Sequence, residues 1–294
     1  MITLNGSDLT IEQVVSGARD FEKVGLSTES NEKMIRSQKL VMDLLHSQQI
    51  VYGVNTGFGS LSKEKISIDD VEQLQENLVR SHSCGVGDYL SDEIVRAMMI
   101  LRANSLAKGF SGIRPCVVQL IIDMLNEKIH PKVPSRGSIG ASGDLVPLAH
   151  IARCLIGEGA VHFDGEDQPV KEVFKKKDLI PVRLQAKEGL ALINGTQLMC
   201  ALGCLSLWDA EHLLKHAQIA GAVSLEALKG TNQAFRKEIS LLRPHKGQML
   251  CAENLFRLTQ DSQIHDSHKH CEKVQDAYTL RCMPQVFGAS KDVF

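Results

Sequence analysis

Apolar positions recur at helical spacing through most of the chain. Thr10-Ile11-Glu12-Gln13 has the form of a capping box, with a hydroxyl at the N-cap and an amide three residues on, and Val14, Val15 and Ala18 extend one face. From Glu32 to His46, Met34, Ile35, Val41, Leu44 and Leu45 predict a second helix, and Val71, Leu74, Leu78 and Val79 predict a third over Asp69 to Arg80. Ser91 starts another, rich in Ile, Met, Leu and Ala, that Gly109 can end, and Pro115 suits the first turn of the next. Longer helical runs are predicted from about Thr196 to Leu228 and from about Asn254 to Val274.

The pattern changes between Gly157 and Pro181. Ala160-Val161-His162-Phe163, an Asp164-Gly165 turn and Gln168-Pro169-Val170 predict a small β-hairpin, and the adjacent Lys175-Lys176-Lys177 run reads as a solvated loop. The fold class expected is mainly α, a long-helix bundle with an N-terminal helical and loop domain and a small β-hairpin element. A soft boundary near Ala186 separates residues 1–185, with short helices and glycine-bearing loops, from the long helices of 186–294. No internal repeat, heptad array or low-complexity tract is visible.

Composition narrows the function classes. The chain has 294 residues, 33 Lys plus Arg against 35 Asp plus Glu, and a net charge of −2, which does not suit a polybasic nucleic-acid or membrane-surface protein. Apolar residues at 43% and charged residues at 23% fit a globular chain, and only 4% aromatics suits a helical core better than a β-sandwich. Val117 to Leu125, broken by Gln119 and Asp123, is too short to span a bilayer. Residues 1–6 show neither a basic nor an apolar signal region, and the eight cysteines form no compact framework. Reduced thiols and a cytoplasmic location are therefore expected.

Three glycine-bearing stretches carry the candidate chemistry. Tyr52-Gly53-Val54-Asn55-Thr56-Gly57-Phe58-Gly59 lacks the lysine of a P-loop and the spacing of a dinucleotide fingerprint, and alone it reads as a structural turn that starts at Tyr52. Ser81-His82-Ser83-Cys84-Gly85-Val86-Gly87 follows a helix, and alone it reads as that helix's C-terminus. In Gly137-Ser138-Ile139-Gly140-Ala141-Ser142-Gly143-Asp144-Leu145, Asp144 is placed to cap the next helix. The small residues around Ser142 also let the backbone fold back, so that the amide nitrogen of Gly143 can reach the carbonyl carbon of Ala141.

Metal chemistry finds little support. His212 and His216 are four apart, and His265, His268, His270 and Cys271 cluster in sequence, but neither Cys-x-x-Cys nor His-Glu-x-x-His occurs. Both groups read as exposed or packed helix residues, Cys200 and Cys204 as core thiols, and no metal is expected. The absence of Gly-x-Ser-x-Gly argues against an α/β-hydrolase.

Ala141-Ser142-Gly143 in this setting resembles the cofactor-forming triad of the aromatic amino acid ammonia-lyases. The Tyr52 loop resembles the family's N-terminal tyrosine loop, Asn194-Gly195-Thr196 its central asparagine motif, and Gln275-Asp276-Ala277-Tyr278-Thr279-Leu280-Arg281-Cys282 its late motif, all in the family's order. The match covers essentially the whole chain. Ser81-His82 looks like the histidine-specific branch, because phenylalanine-specific relatives carry apolar residues there.

The resemblance implies a carbon–nitrogen lyase that eliminates ammonia from L-histidine to give trans-urocanate. It implies a 4-methylidene-imidazol-5-one formed autocatalytically from Ala141-Ser142-Gly143, an electrophile that no ordinary side chain supplies. It makes Tyr52 the base for the β-proton, and Arg281 the partner of the substrate carboxylate. Asn194, Gln275 and Tyr278 would line the cofactor and orient the substrate, and His82 would face the imidazole. It further implies a homotetramer whose chains share active sites. The alternatives are a tyrosine- or phenylalanine-directed lyase or aminomutase and, in another class, an inactive fragment that binds homologous chains. Family members are longer, so the long-helix bundle is expected to be incomplete, without one glutamate near the substrate and with weak activity alone. Phe287 stands where the family motif has histidine.

Overall fold

A computed structural model describes residues 1–47, 50–57, 66–67, 70–139 and 142–294. The chain divides into two compact units, Met1–Leu205 and Ser206–Phe294, with the division inside one long helix. Ala186, where the sequence pattern changes, lies N-terminal to this division.

The first unit runs β1 (Ile2–Leu4), α1 (Ile11–Arg19), β2 (Val24–Leu26), α2 (Thr28–His46), α3 (Val71–His82), β3 (Val86–Tyr89), α4 (Asp92–Ala107), α5 (Pro115–Asn126), β4 (His130–Pro131) and β5 (Pro134–Arg136). It continues with α6 (Leu145–Leu155), β6 (Ala160–Phe163), β7 (Glu166–Pro169), α7 (Val170–Lys176), α8 (Glu188–Ile193) and the start of α9 (Gln197–Ala227). The capping box at Thr10 forms in full, with Gln13 N–H donating to the Thr10 hydroxyl and Gln13 Oε1 accepting from Thr10 N.

The core gathers around α4 and α5, most of whose residues are buried. Met98, Met99, Ile100, Ala103 and Leu106 of α4 and Val117, Ile121 and Met124 of α5 are completely buried. Arg96 is buried among them and satisfies the carbonyls of Gly17 and Leu125. The triplet α3, α6 and α8 packs together beside this core.

Helix α8 is pinned from outside its own sequence. Gln75 Oε1 on α3 accepts from the first-turn amides of Gly189 and Leu190. The buried Glu188 carboxylate accepts from Arg114 N, Nε and Nη2 and from Gln185 N, at 2.7–2.9 Å. Removing one partner of such a buried, hydrogen-bonded pair costs about 3–5 kcal/mol.

The hairpin forms as the Asp164-Gly165 turn predicts, both residues taking positive φ (51° and 82°), with Val161 opposite Gln168. Strand β4 adds a third strand, His130 opposite His162. Two other pairings, β1 with β2 and β3 with β5, involve strands too short to leave an alternation in the sequence.

Two sequence expectations are corrected here. Lys175 and Lys176 do not lie in a loop: they form the last turn of α7, where cations suit the helix dipole, and Lys177 pairs with Glu127 at 2.8 Å. The helical run expected over Asn254 to Val274 is broken. Helix α11 (Lys246–Leu258) stops, Asp261 takes φ 57°, and Ser262 caps a separate α12 (Gln263–Ser267) by accepting from His265 N.

The second unit holds the rest of α9, a 3-10 turn at Asn232–Phe235, α10 (Lys237–Leu241), α11, α12, α13 (Tyr278–Arg281) and α14 (Met283–Val293). Ala222, Leu225, Phe235, Leu255, Leu280 and Met283 form its core, and Phe287 packs against that cluster, so the apolar ring has an apolar place. Helices α11 and α14 meet at Gly247 and Gly288, where a Cβ on either residue would run into the other helix's backbone. Among the described residues no helix is long and apolar enough to cross a membrane.

Candidate active site

The third glycine stretch folds against the Asn194 motif. Gly143 takes φ 69° and pairs as an isolated parallel bridge with Gly195. Asp144 N donates to Gly195 O at 2.9 Å, and Ile139 N donates to Gly143 O at 3.1 Å. A Cβ on Gly143 would sit 2.9 Å from Thr196 Cγ2 and 3.2 Å from Gly195 O, so only glycine fits this cradle without displacement. Ser142 is exposed and Gly143 buried, while Ala141 lies outside the described residues.

Asp144 occupies the N-cap position of α6, but its side chain does not cap that helix. The fully buried carboxylate instead accepts the Ser138 hydroxyl at 2.5 Å and the backbone N–H of Met199 at 3.0 Å. Met199 N is one of the first-turn amides of α9 that the helix itself leaves unpaired. An anion there also meets the positive end of the helix dipole.

Asn194 is the exposed last-cap residue of α8 and turns the chain through Gly195 into α9. The buried Arg102 of α4 supports this turn from below. Its Nη2 donates to Ala191 O and its Nη1 to Gln197 Oε1 at 3.1 Å. Sequence reading passed over Arg102 and Gln75. The only signal for Arg102 is a cation set between Leu101 and Ala103 in the apolar stretch of α4.

His82 ends α3 and is half-buried. Its Nδ1 donates to Leu78 O at 2.9 Å, and because that acceptor is a carbonyl, Nδ1 carries the hydrogen and Nε2 of the neutral ring keeps its lone pair. The loop beyond it is held near α6, with Gly85 N donating to His150 Nε2 at 3.1 Å. The Tyr52 loop is anchored elsewhere on α3. Val54 packs with Val41, Leu45, Val71 and Ala186, and Val71 is at the opposite end of α3 from His82. Buried Asn55 accepts Val51 N at 2.8 Å and buried Thr56 accepts Gly53 N at 3.2 Å, leaving Tyr52 54% exposed at the start of the turn. Phe58 and Gly59 lie outside the described residues.

Gln275, Tyr278 and Arg281 belong to the second unit. Gln275 lines a cleft of about 330 Å³ with His268, Lys273 and Asp276. The Arg281 guanidinium stands 5.4 Å from the Tyr278 ring centroid, and Nε donates to Asp276 O at 2.9 Å. Asp276 is itself buried, receives Thr231 N at 2.6 Å and pairs with Lys273. The late motif is therefore braced at its acidic member, while Tyr278 is exposed.

The helical histidines are occupied locally. His212 Nδ1 donates to Trp208 O, His216 Nδ1 to His212 O, and His268 Nδ1 to Ile264 O. Among the described residues no group of three His, Cys, Asp or Glu side chains could hold a metal ion. All eight cysteines are unpaired, and burial pushes the Cys154 thiol up to about 12.

The chain as a whole has counterparts among known proteins. Residues 9–294 match the family model for aromatic amino acid lyases. A histidine ammonia-lyase of Natranaerobius thermophilus is 50% identical over 292 residues, covering 99% of this chain and 57% of that protein. Among solved structures, tyrosine aminomutase from Streptomyces globisporus superposes with a TM-score of 0.89 at 35% identity, covering 99% of this chain and 58% of that one. Histidine ammonia-lyase from Trypanosoma cruzi gives 0.87 at 36%, covering 99% and 54%. The chain belongs to the aromatic amino acid lyase family. It spans a little over half the length of the curated relatives it matches.

Proposed function

We propose that these residues serve an ammonia-lyase that converts L-histidine to trans-urocanate. The observation that carries the proposal is the registry of Ser142-Gly143 on Asn194-Gly195-Thr196, made by the Gly143–Gly195 bridge and the Asp144 N to Gly195 O bond. The histidine ammonia-lyase relative at 50% identity supports the choice of substrate, as does a histidine at position 82.

The Gly143 cradle fits a loop that closes on itself. The Gly143 nitrogen would bond to the Ala141 carbonyl carbon, whose oxygen leaves as one water. The Ser142 hydroxyl leaves with the Cα proton as the second, and no oxidant is needed. The resulting 4-methylidene-imidazol-5-one supplies an electrophile for release of an amine, which is otherwise a poor leaving group. Positive φ at Gly143 and the missing Cβ give the nitrogen its approach.

The other residues bind and move protons. Tyr52 is assigned removal of the β-proton. Arg281 presents a planar fork for the substrate carboxylate. Asn194, Gln275 and Tyr278 orient the substrate, and His82 Nε2 accepts the substrate imidazole N–H. Assembly as a homotetramer with shared sites suits the exposed Leu213, Ile219 and Val223 on α9. A cytoplasmic setting suits the eight unpaired thiols.

The test is the mass of the purified chain together with product analysis. The expected mass is lower than the sequence mass by two waters, and Ser142→Ala should block the loss of the second, the serine hydroxyl. Histidine should yield urocanate when the chain is assayed alone or mixed with a full-length relative. Folded wild-type protein with an unmodified mass overturns the proposal, and a β-amino acid product from tyrosine or phenylalanine replaces it with an aminomutase.

A further inference from the structure

Among the described residues, Arg102 is a buried cation without a counter-ion. It is 4% exposed, and among the described residues it forms no ion pair. Its Nε has no acceptor. Burial pulls its pKa down to about 10, which leaves it charged at neutral pH. Lys187, whose Nζ donates to Ser111 O, has its pKa lowered by burial and then by Arg102, a charge of the same sign. Replacing it with an apolar side chain removes the desolvation cost of the charge but leaves Ala191 O and Gln197 Oε1 without their donor, so the two effects on stability oppose each other.

The guanidinium does hold something particular. It spans the Asn194-Gly195-Thr196 turn, binding Ala191 O on the α8 side and Gln197 Oε1 on the α9 side. A cation at the end of α8 and the Asp144 carboxylate at the start of α9 thus complement both helix ends that flank the turn. Between them lies Gly195, where any Cβ would strike Gln197 Oε1 and Arg102 Nη1. The peptide of the same glycine registers the loop, since Gly195 O receives Asp144 N and Gly195 pairs with Gly143.

We propose that Arg102 is a positioning residue for loop closure: by clamping the Asn194–Thr196 turn across Ala191 and Gln197, it keeps Gly143 in the register from which its nitrogen attacks. The inference rests on the proposed closure of the loop. In that step one N–C bond forms and two waters leave, with no redox partner. Displacing an attacking group by ~1 Å costs about a hundredfold in rate, so a loosened turn slows closure without unfolding the chain.

The experiment recovers wild type, Arg102→Met and Arg102→Lys as chains that have not yet folded or closed, from inclusion bodies, starts folding by dilution and follows intact mass with time, alongside thermal unfolding. Wild type should lose two waters. Arg102→Met should unfold within ~5 °C of wild type, since the desolvation cost it sheds offsets the two bonds it loses, yet dehydrate at least about tenfold more slowly. Arg102→Lys, which keeps the charge but not the fork, should restore only part of the rate. If Arg102→Met does not fold, Gln197→Leu removes the same clamp from its other side and is judged by the same rate. Dehydration of the folded variant at the wild-type rate overturns the inference alone. A folded wild type that keeps both waters overturns the proposed closure, and the inference with it.

Discussion

The Asp144 carboxylate, at the head of α6, accepts the backbone N–H of Met199 in the first turn of α9 at 3.0 Å. The same carboxylate receives the Ser138 hydroxyl at 2.5 Å, so one buried side chain ties both ends of the candidate loop to a third element. Asp144→Ala leaves the Met199 amide and the Ser138 hydroxyl without their acceptor. The expected loss is about 1.5–3 kcal/mol in urea unfolding, because both bonds are made to a charged, buried carboxylate. Asp144→Asn keeps one acceptor oxygen and should lose less. An alanine variant within ~0.5 kcal/mol of wild type, the range of an ordinary surface change, contradicts the clamp.

Gly143 and Thr196 form a second pair. An alanine at 143 must hold φ near 69° and place its Cβ 2.9 Å from Thr196 Cγ2. Left-handed backbone outside glycine costs on the order of 1–3 kcal/mol when it is strained. Gly143→Ala should therefore lower stability by that order and slow the mass loss. Thr196→Ser removes the clashing methyl while keeping the hydroxyl, so the double variant should recover part of the stability. Additive losses in the two variants would place the strain somewhere other than this contact.

What was legible in the sequence was local or periodic. The Thr10–Gln13 box needs only two side chains three residues apart, the Asp164-Gly165 turn dictates its own backbone, and α9 keeps its apolar pattern for many turns. The failures have the opposite character. The run after Asn254 keeps helical spacing, yet Asp261 and Ser262 end one helix and begin another, a local choice that periodicity does not report. Asp144 stands where a capping residue should stand, but Met199, far along the chain, offers its carboxylate an unpaired amide. Gln75 and Arg102 act on α8 from distant segments, and no spacing rule connects position 102 with positions 191 and 197. The motifs were visible as words in order; the cradle that registers two of them on each other was not.

His82 offers a test of specificity. Its Nδ1–H is committed to Leu78 O, so the ring is held in one orientation with Nε2 as its remaining polar atom. Under the proposed function, His82→Leu removes an acceptor for the substrate imidazole and supplies apolar surface in its place. Activity on histidine should fall by about ten- to a hundredfold relative to phenylalanine or tyrosine, because a site built to hydrogen-bond its substrate discriminates strongly. The comparison to make is the ratio of kcat/KM values across the three amino acids. Equal losses on all three would assign His82 to helix termination alone.

His150 supplies the pH dependence. Its Nε2 accepts from Gly85 N, which requires an unprotonated nitrogen, and burial, followed by Arg153, holds its pKa below the ordinary histidine value. His130 is also depressed, first by burial. The unfolded chain protonates these rings near pH ~6.5, while the folded chain resists until a lower pH. In that window the unfolded state binds more protons, so unfolding free energy rises with pH and is lost as pH falls below ~6.5. Most carboxylates titrate lower, near ~4, so the interval from pH ~7 to ~5.5 isolates the histidines. The thermal midpoint should fall across that interval, and amide exchange at Gly85 should accelerate beyond the trend of neighbouring amides as its acceptor is protonated. His150→Gln offers an acceptor that does not titrate and should flatten the slope without removing the His130 contribution. A slope unchanged in His150→Gln, with Gly85 exchange indifferent to pH in this interval, would show that the Gly85–His150 bond does not tie the segment after α3 to α6.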